Sequence, residues 1–113
     1  MSFRPERVST VTFDSFSTLV DVSAAADALV GVVDNPEAVA GHWRSRSLFY
    51  AMVSNFIDAY QPFYEMNRDA LEHALATVDA DVTDAEQDEI LSVYLRLSVF
   101  DDVRPAMQRL VDA

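Results

Sequence analysis

The chain has 113 residues, half of them apolar, with 19 acidic residues against 8 basic ones and a net charge of −11. That size suits one packed domain rather than a disordered segment, and the acidity disfavours nucleic-acid binding, which needs a basic patch to neutralise phosphates. Cysteine is absent, which removes disulfides, thiolate metal sites and cysteine nucleophiles together, and no run approaches the ~18 apolar residues of a membrane span.

The opening Met1-Ser2-Phe3-Arg4-Pro5-Glu6-Arg7 has two arginines but no apolar stretch long enough for a signal peptide, so a cytoplasmic protein is the default expectation. Residues 8–13 read as a strand, since Val8, Thr10, Val11, Thr12 and Phe13 favour extended backbone. Asp14 leaves the end of that strand and enters a short turn that presents Thr18. From Asp21 the apolar period becomes helical. Val22, Ala25, Ala26, Leu29 and Val30 mark a short helix ending near Gly31.

Asp34-Asn35-Pro36-Glu37 then supplies a cap residue, a proline at the first helical position and an acid in the first turn. The helix it opens runs to about Tyr60, with Val39, Trp43, Phe49 or Tyr50, Val53, Phe56, Ile57 and Tyr60 on a wide apolar face, and Pro62 interrupts it. A third helix is expected over 65–78. Thr83-Asp84-Ala85-Glu86 has the pattern of a capping box and opens a fourth, with Ile90, Leu91, Tyr94, Leu95 and Leu97 on its buried side. Asp101 and Asp102 start a last helix, with Val103, Met107, Leu110 and Val111 inward. A lone strand cannot satisfy its own hydrogen bonds, so this one is expected to have neighbours.

All eight bases are arginine and lysine does not occur. A GC-rich genome coding an ordinary acidic protein is one explanation of this bias. Adaptation to high salt, where dense carboxylates keep a surface soluble while ions screen their repulsion, accounts better for the excess of aspartate over glutamate. The two histidines, His42 and His73, are far apart in sequence, lack ligand-like spacing and read as surface residues, so no zinc site is expected.

The residue that asks for a chemical role is Asp14. In an α/β fold, the carboxyl end of a parallel strand is where chemistry is placed, and a carboxylate there is a candidate nucleophile that needs no general base. Taken alone it reads better as a turn or cap residue after a strand. Its surroundings decide the matter. Phe13-Asp14-Ser15-Phe16-Ser17-Thr18-Leu19-Val20-Asp21-Val22 resembles the first motif of the haloacid dehalogenase superfamily, and within it is most similar to the type II, L-specific 2-haloacid dehalogenases. Trp43-Arg44-Ser45-Arg46-Ser47-Leu48-Phe49-Tyr50 and Tyr94-Leu95-Arg96-Leu97-Ser98-Val99-Phe100 carry the resemblance along the chain.

The resemblance implies an α/β fold, a Rossmann-like core with an inserted four-helix cap. Of that fold this chain would hold one N-terminal strand and about five helices. Residues 1–20 would be the first core strand and nucleophile loop, 21–100 the helical cap, and 101–113 the start of a core helix. It implies hydrolysis of a 2-haloalkanoic acid to the 2-hydroxy acid and halide without metal or other cofactor. Asp14 would attack C2, Thr18 would hold its carboxylate, and Arg44 would face the departing halide. Phe16, Ser45, Leu48 and Phe63 would line the substrate pocket. On the residues alone, Arg44 reads as a solvated helix arginine, and Trp43, Leu48 and Phe63 read as bundle core.

Phosphatases of the superfamily carry a second aspartate two residues after the nucleophile, and here that position is Phe16, which cannot act as a general acid. A phosphatase-like hydrolase is therefore the alternative enzyme, and a non-catalytic helical association module the alternative outside enzymes. Ser17 stands where the family commonly has glycine, in a tight turn. The family's later motifs, including a lysine, are not found in these 113 residues. The expectation is an N-terminal portion of a dehalogenase-like protein, truncated and inactive alone, whose uncovered apolar surface drives homo-oligomerisation or pairing with a complementing chain, with no nucleic acid or membrane as partner.

Overall fold

The computed structural model describes residues 2–113. They fall into two compact units, one formed by Ser23–Leu97 and the other by the segments up to Val22 and Ser98–Ala113.

The larger unit is a helical bundle. Its helices are α1 (Ala24–Ala28), α2 (Pro36–Phe56), α3 (Phe63–Thr77) and α4 (Asp84–Leu91), the last continued by a 3-10 turn over Ser92–Leu95. Local chemistry sets the starts. Asn35 caps α2 by accepting from the Ala38 amide at 3.2 Å, ahead of Pro36 in the first turn. Thr83 caps α4 by accepting from the Glu86 amide at 3.2 Å, while its hydroxyl donates to the Glu86 carboxylate at 3.0 Å.

The ends of α2 and α3 share one device. Asp58 and Asp79 take left-handed backbone, with φ of 55° and 52°. The next amide in each case reaches back to the helix, Ala59 to the Ser54 carbonyl at 2.9 Å and Ala80 to the Leu75 carbonyl at 3.1 Å. These are Schellman closures with aspartate where glycine is usual. They stop α2 at Phe56, short of Tyr60.

Packing centres on α2 and α3, which run antiparallel. Trp43 is fully buried, as are Leu29, Leu71 and Leu91, and Val39, Ala70, Ala74, Leu75 and Ile90 complete the cluster with Ala25. Burying each large apolar side chain contributes about 1.5–3 kcal/mol. A polar network crosses the same seam. The Trp43 indole N–H donates to the Asn67 carbonyl at 3.0 Å, and the Ser47 hydroxyl lies 2.7 Å from Asn67 Oδ1 and 3.0 Å from the Trp43 carbonyl. Its single proton serves one of the two at a time. Arg68 on α3 pairs with Asp88 on α4 at 2.7 Å, and Arg96 with Glu89 at 3.7 Å.

The smaller unit corrects the expected α/β class. Among the described residues there is no strand or sheet, only isolated bridges of Phe16 with Val20, Val20 with Val99, and Val30 with Val33. Residues 8–13 carry strand-forming side chains, yet they are exposed and assigned to no element. The physical reason is that extended backbone becomes a strand only through a ladder with a neighbour, and no backbone group of residues 9–13 is hydrogen-bonded among the described residues. A short 3-10 turn at Pro5–Arg7 precedes them and α5 (Val103–Asp112) closes the unit. Leu110 and Val111 of α5 are exposed rather than inward, as is Leu95 in the bundle.

Candidate active site

The turn after the extended segment is fixed by backbone. The Ser15 carbonyl accepts from the amides of Thr18, Leu19 and Val20 at 3.2, 2.8 and 3.1 Å, and the Ser17 amide donates to the Val20 carbonyl at 2.9 Å. Ser17 takes φ of 64°, the left-handed conformation that its place in the turn demanded. The turn is then stapled to the 98–100 segment, with Asp21 donating to the Ser98 carbonyl at 2.8 Å and Phe100 to the Leu19 carbonyl at 3.1 Å.

This closure brings Thr18 back onto Asp14. The Thr18 hydroxyl donates to Asp14 Oδ2 at 2.8 Å, and both residues are exposed. Oδ1 carries no hydrogen bond among the described residues. One carboxylate oxygen is thus oriented by a neutral donor and the other faces solvent. Phe16 is half-buried in the same turn.

Arg44, Ser45, Leu48 and Phe63 lie in the helical bundle. Arg44, Ser45 and Leu48 sit on α2, where Leu48 lies four residues after Arg44 and three after Ser45 and so neighbours each of them on the helix surface. Arg44 is half-buried and its charge acts on Tyr94. Burial pushes the Tyr94 phenol above its ordinary range, and the Arg44 guanidinium partly opposes that rise. Tyr94 in turn packs edge-on against Trp43, with ring centroids 4.9 Å apart. Leu48 is 54% exposed and Phe63 begins α3 at 40%, so neither is bundle core.

Three features escaped the sequence. Tyr94 beside Arg44 depends on the return of the chain after α4. The Ser47–Asn67 pair depends on the register between α2 and α3. His42 and His73 are not isolated surface residues. The same antiparallel register stacks their rings, with centroids 5.3 Å apart and planes inclined by 15°. Among the described residues no three His, Cys, Asp or Glu side chains group as metal ligands, and no helix is long and apolar enough to cross a membrane.

No protein-family model matches the chain. It is 29% identical over 102 residues to (S)-2-haloacid dehalogenase 4A of Burkholderia cepacia, covering 89% of this chain and 44% of that protein. Haloacetate dehalogenase H-2 of Moraxella sp. (strain B) is 26% identical over 106 residues, covering 93% of this chain and 47% of that protein. A crystal structure of a dehalogenase superposes with a TM-score of 0.79 at 27% identity, over 87% of this chain and 44% of the other. The L-2-haloacid dehalogenase of Xanthobacter autotrophicus does so with a TM-score of 0.73 at 25% identity, over 80% of this chain and 38% of the other. The chain therefore spans less than half the length of these relatives.

Proposed function

We propose, on the premise that this chain is homologous to the L-2-haloacid dehalogenases of the haloacid dehalogenase superfamily, that it carries the nucleophile of a hydrolase acting on 2-haloalkanoic acids. Asp14 Oδ1 attacks C2 in line with the carbon–halogen bond. A C–O bond forms, the carbon–halogen bond breaks, and the halide leaves with the bonding electron pair. Water then hydrolyses the resulting ester, releasing the 2-hydroxy acid and a proton and restoring the Asp14 carboxylate.

The observation that supports this reading best is the 2.8 Å bond from Thr18 to Asp14 Oδ2, which orients one oxygen and leaves the other open. In the proposed scheme Arg44 receives the halide, a role that suits a permanently charged, weakly hydrated guanidinium. The resemblance assigns Ser45, Leu48, Phe63 and Phe16 to substrate contact. Phe16 in place of a second aspartate argues against phosphoryl transfer.

Incubation of the chain with L-2-chloropropionate tests the proposal, read by peptide mass mapping and by chloride release. An ester on the Asp14 peptide is expected, and Asp14→Asn should abolish both the ester and the single chloride per chain released in forming it. Absence of the ester in the parent chain, or release that Asp14→Asn leaves unchanged, overturns it.

The proposal extends to association. Leu48, Met52 and Phe56 recur every fourth residue along α2 and continue into Ile57 and Tyr60, and all five are exposed, Phe56 at 84% and Tyr60 at 87%. A contiguous apolar row of this kind favours contact between copies of the chain.

A further inference from the structure

The stacked histidines lie on the seam that holds the bundle together. His42 Nε2 is buried and makes no hydrogen bond. Arg46 follows one turn later on α2, its guanidinium over the rings of Phe49 and Tyr50 at 5.6 and 5.9 Å. No carboxylate pairs with Arg46 among the described residues, although acids outnumber bases 19 to 8. The seam therefore gathers one permanent cation, a buried imidazole nitrogen without a hydrogen bond and the titratable His73 ring, with no anion between them.

The charged groups acting on His73 are Arg46 and His42, both on α2. Asp69 and Glu72, its neighbours on α3, are not among them. The α4 acid that reaches α3, Asp88, is held by Arg68. His73 accordingly resists protonation. Desolvation is the larger cause, followed by the charge of Arg46 and the proximity of His42, and its pKa falls below the ordinary 6.5. The sign follows from linkage. Well above 6.5 His73 is neutral in both states and its contribution to stability is complete. As the pH falls through that value towards the lower folded one, the unfolded chain takes a proton that the folded chain refuses, and stability is lost.

We propose that this seam is an acid-sensitive latch. With the His73 imidazole neutral, α2 and α3 stay packed. Protonating it sets an imidazolium ion against the stacked His42 ring and the Arg46 guanidinium, and the helix pair loosens. This device is independent of the proposed hydrolysis and stands or falls without it.

Trp43, the sole tryptophan, adjoins His42 and bonds to Asn67 across the same pair of helices, so its fluorescence reports the seam. The experiment is denaturant unfolding followed by that signal at fixed salt, from about pH 8 to about pH 5. The parent chain, the double variant His42→Gln/His73→Gln, and Arg46→Gln are compared. Every variant keeps the same carboxylates, so their titration cancels in the comparison. On acidification the unfolding constant of the parent should rise about tenfold more than that of the double variant. Arg46→Gln, which leaves both rings in place, should give an intermediate slope. A double variant with the parent's pH slope overturns the latch, and so does an Arg46→Gln slope equal to the parent's.

Discussion

Ser17 shows how a single residue can hold a turn under strain. Its φ of 64° places a side chain where only glycine is comfortable, and the turn it permits is the one that returns Thr18 to Asp14. A β-branched residue tolerates this conformation worse than serine does. Ser17→Val is therefore expected to lower stability by about 1–2 kcal/mol, measured by thermal melting, and the same variant should no longer hold the Thr18 hydroxyl against Asp14. The turn that presents Thr18 was legible in the sequence, because Asp14, Ser17 and Thr18 lie within five residues and turn chemistry acts locally, whereas the contact of Thr18 with Asp14 came only from the resemblance. His42 and His73 were not legible there, because their meeting depends on how far α2 runs before the chain reverses, and no nearby residue encodes that distance.

At the scale of elements, the same contrast separates helix starts from helix stops. Asn35-Pro36 and Thr83 announce α2 and α4, since capping is a bond between residues three apart. The stops at Asp58 and Asp79 carry no such sign, because aspartate in left-handed backbone replaces the glycine that usually marks them. Each costs stability that glycine would recover. Asp58→Gly and Asp79→Gly are each expected to stabilise the bundle by about 1 kcal/mol, seen as a rise of several degrees in melting temperature. The segment 8–13 fails for the opposite reason. Its side chains ask for a strand, but a strand is a relation between two segments, and residues 9–13 have no backbone partner among the described residues.

For the whole molecule, a net charge of −11 on 113 residues opposes both compaction and contact between copies. Added salt screens the first effect and the second alike. Between about 0.1 M and about 2 M KCl, where the screening length shrinks to a few ångströms, the melting temperature is expected to rise. The mean mass from light scattering should grow in parallel as the Leu48–Tyr60 row meets its copy. A chain that melts at the same temperature in both conditions and stays monodisperse runs counter to a surface tuned to high salt and to the proposed association.

The extended segment has a further consequence for solution behaviour. Residues 8–13 hold no charge, and residues 9–13 offer amides and carbonyls without a backbone partner among the described residues, the ingredients of a template for fibrillar stacking. Arg7 stands at one end and Asp14 at the other, and paired charges of this kind act as gatekeepers, since stacking would bring like charges into register. Asp14 therefore serves colloidal safety as well as its proposed chemistry, and exchanging it for asparagine opens one of the two gates.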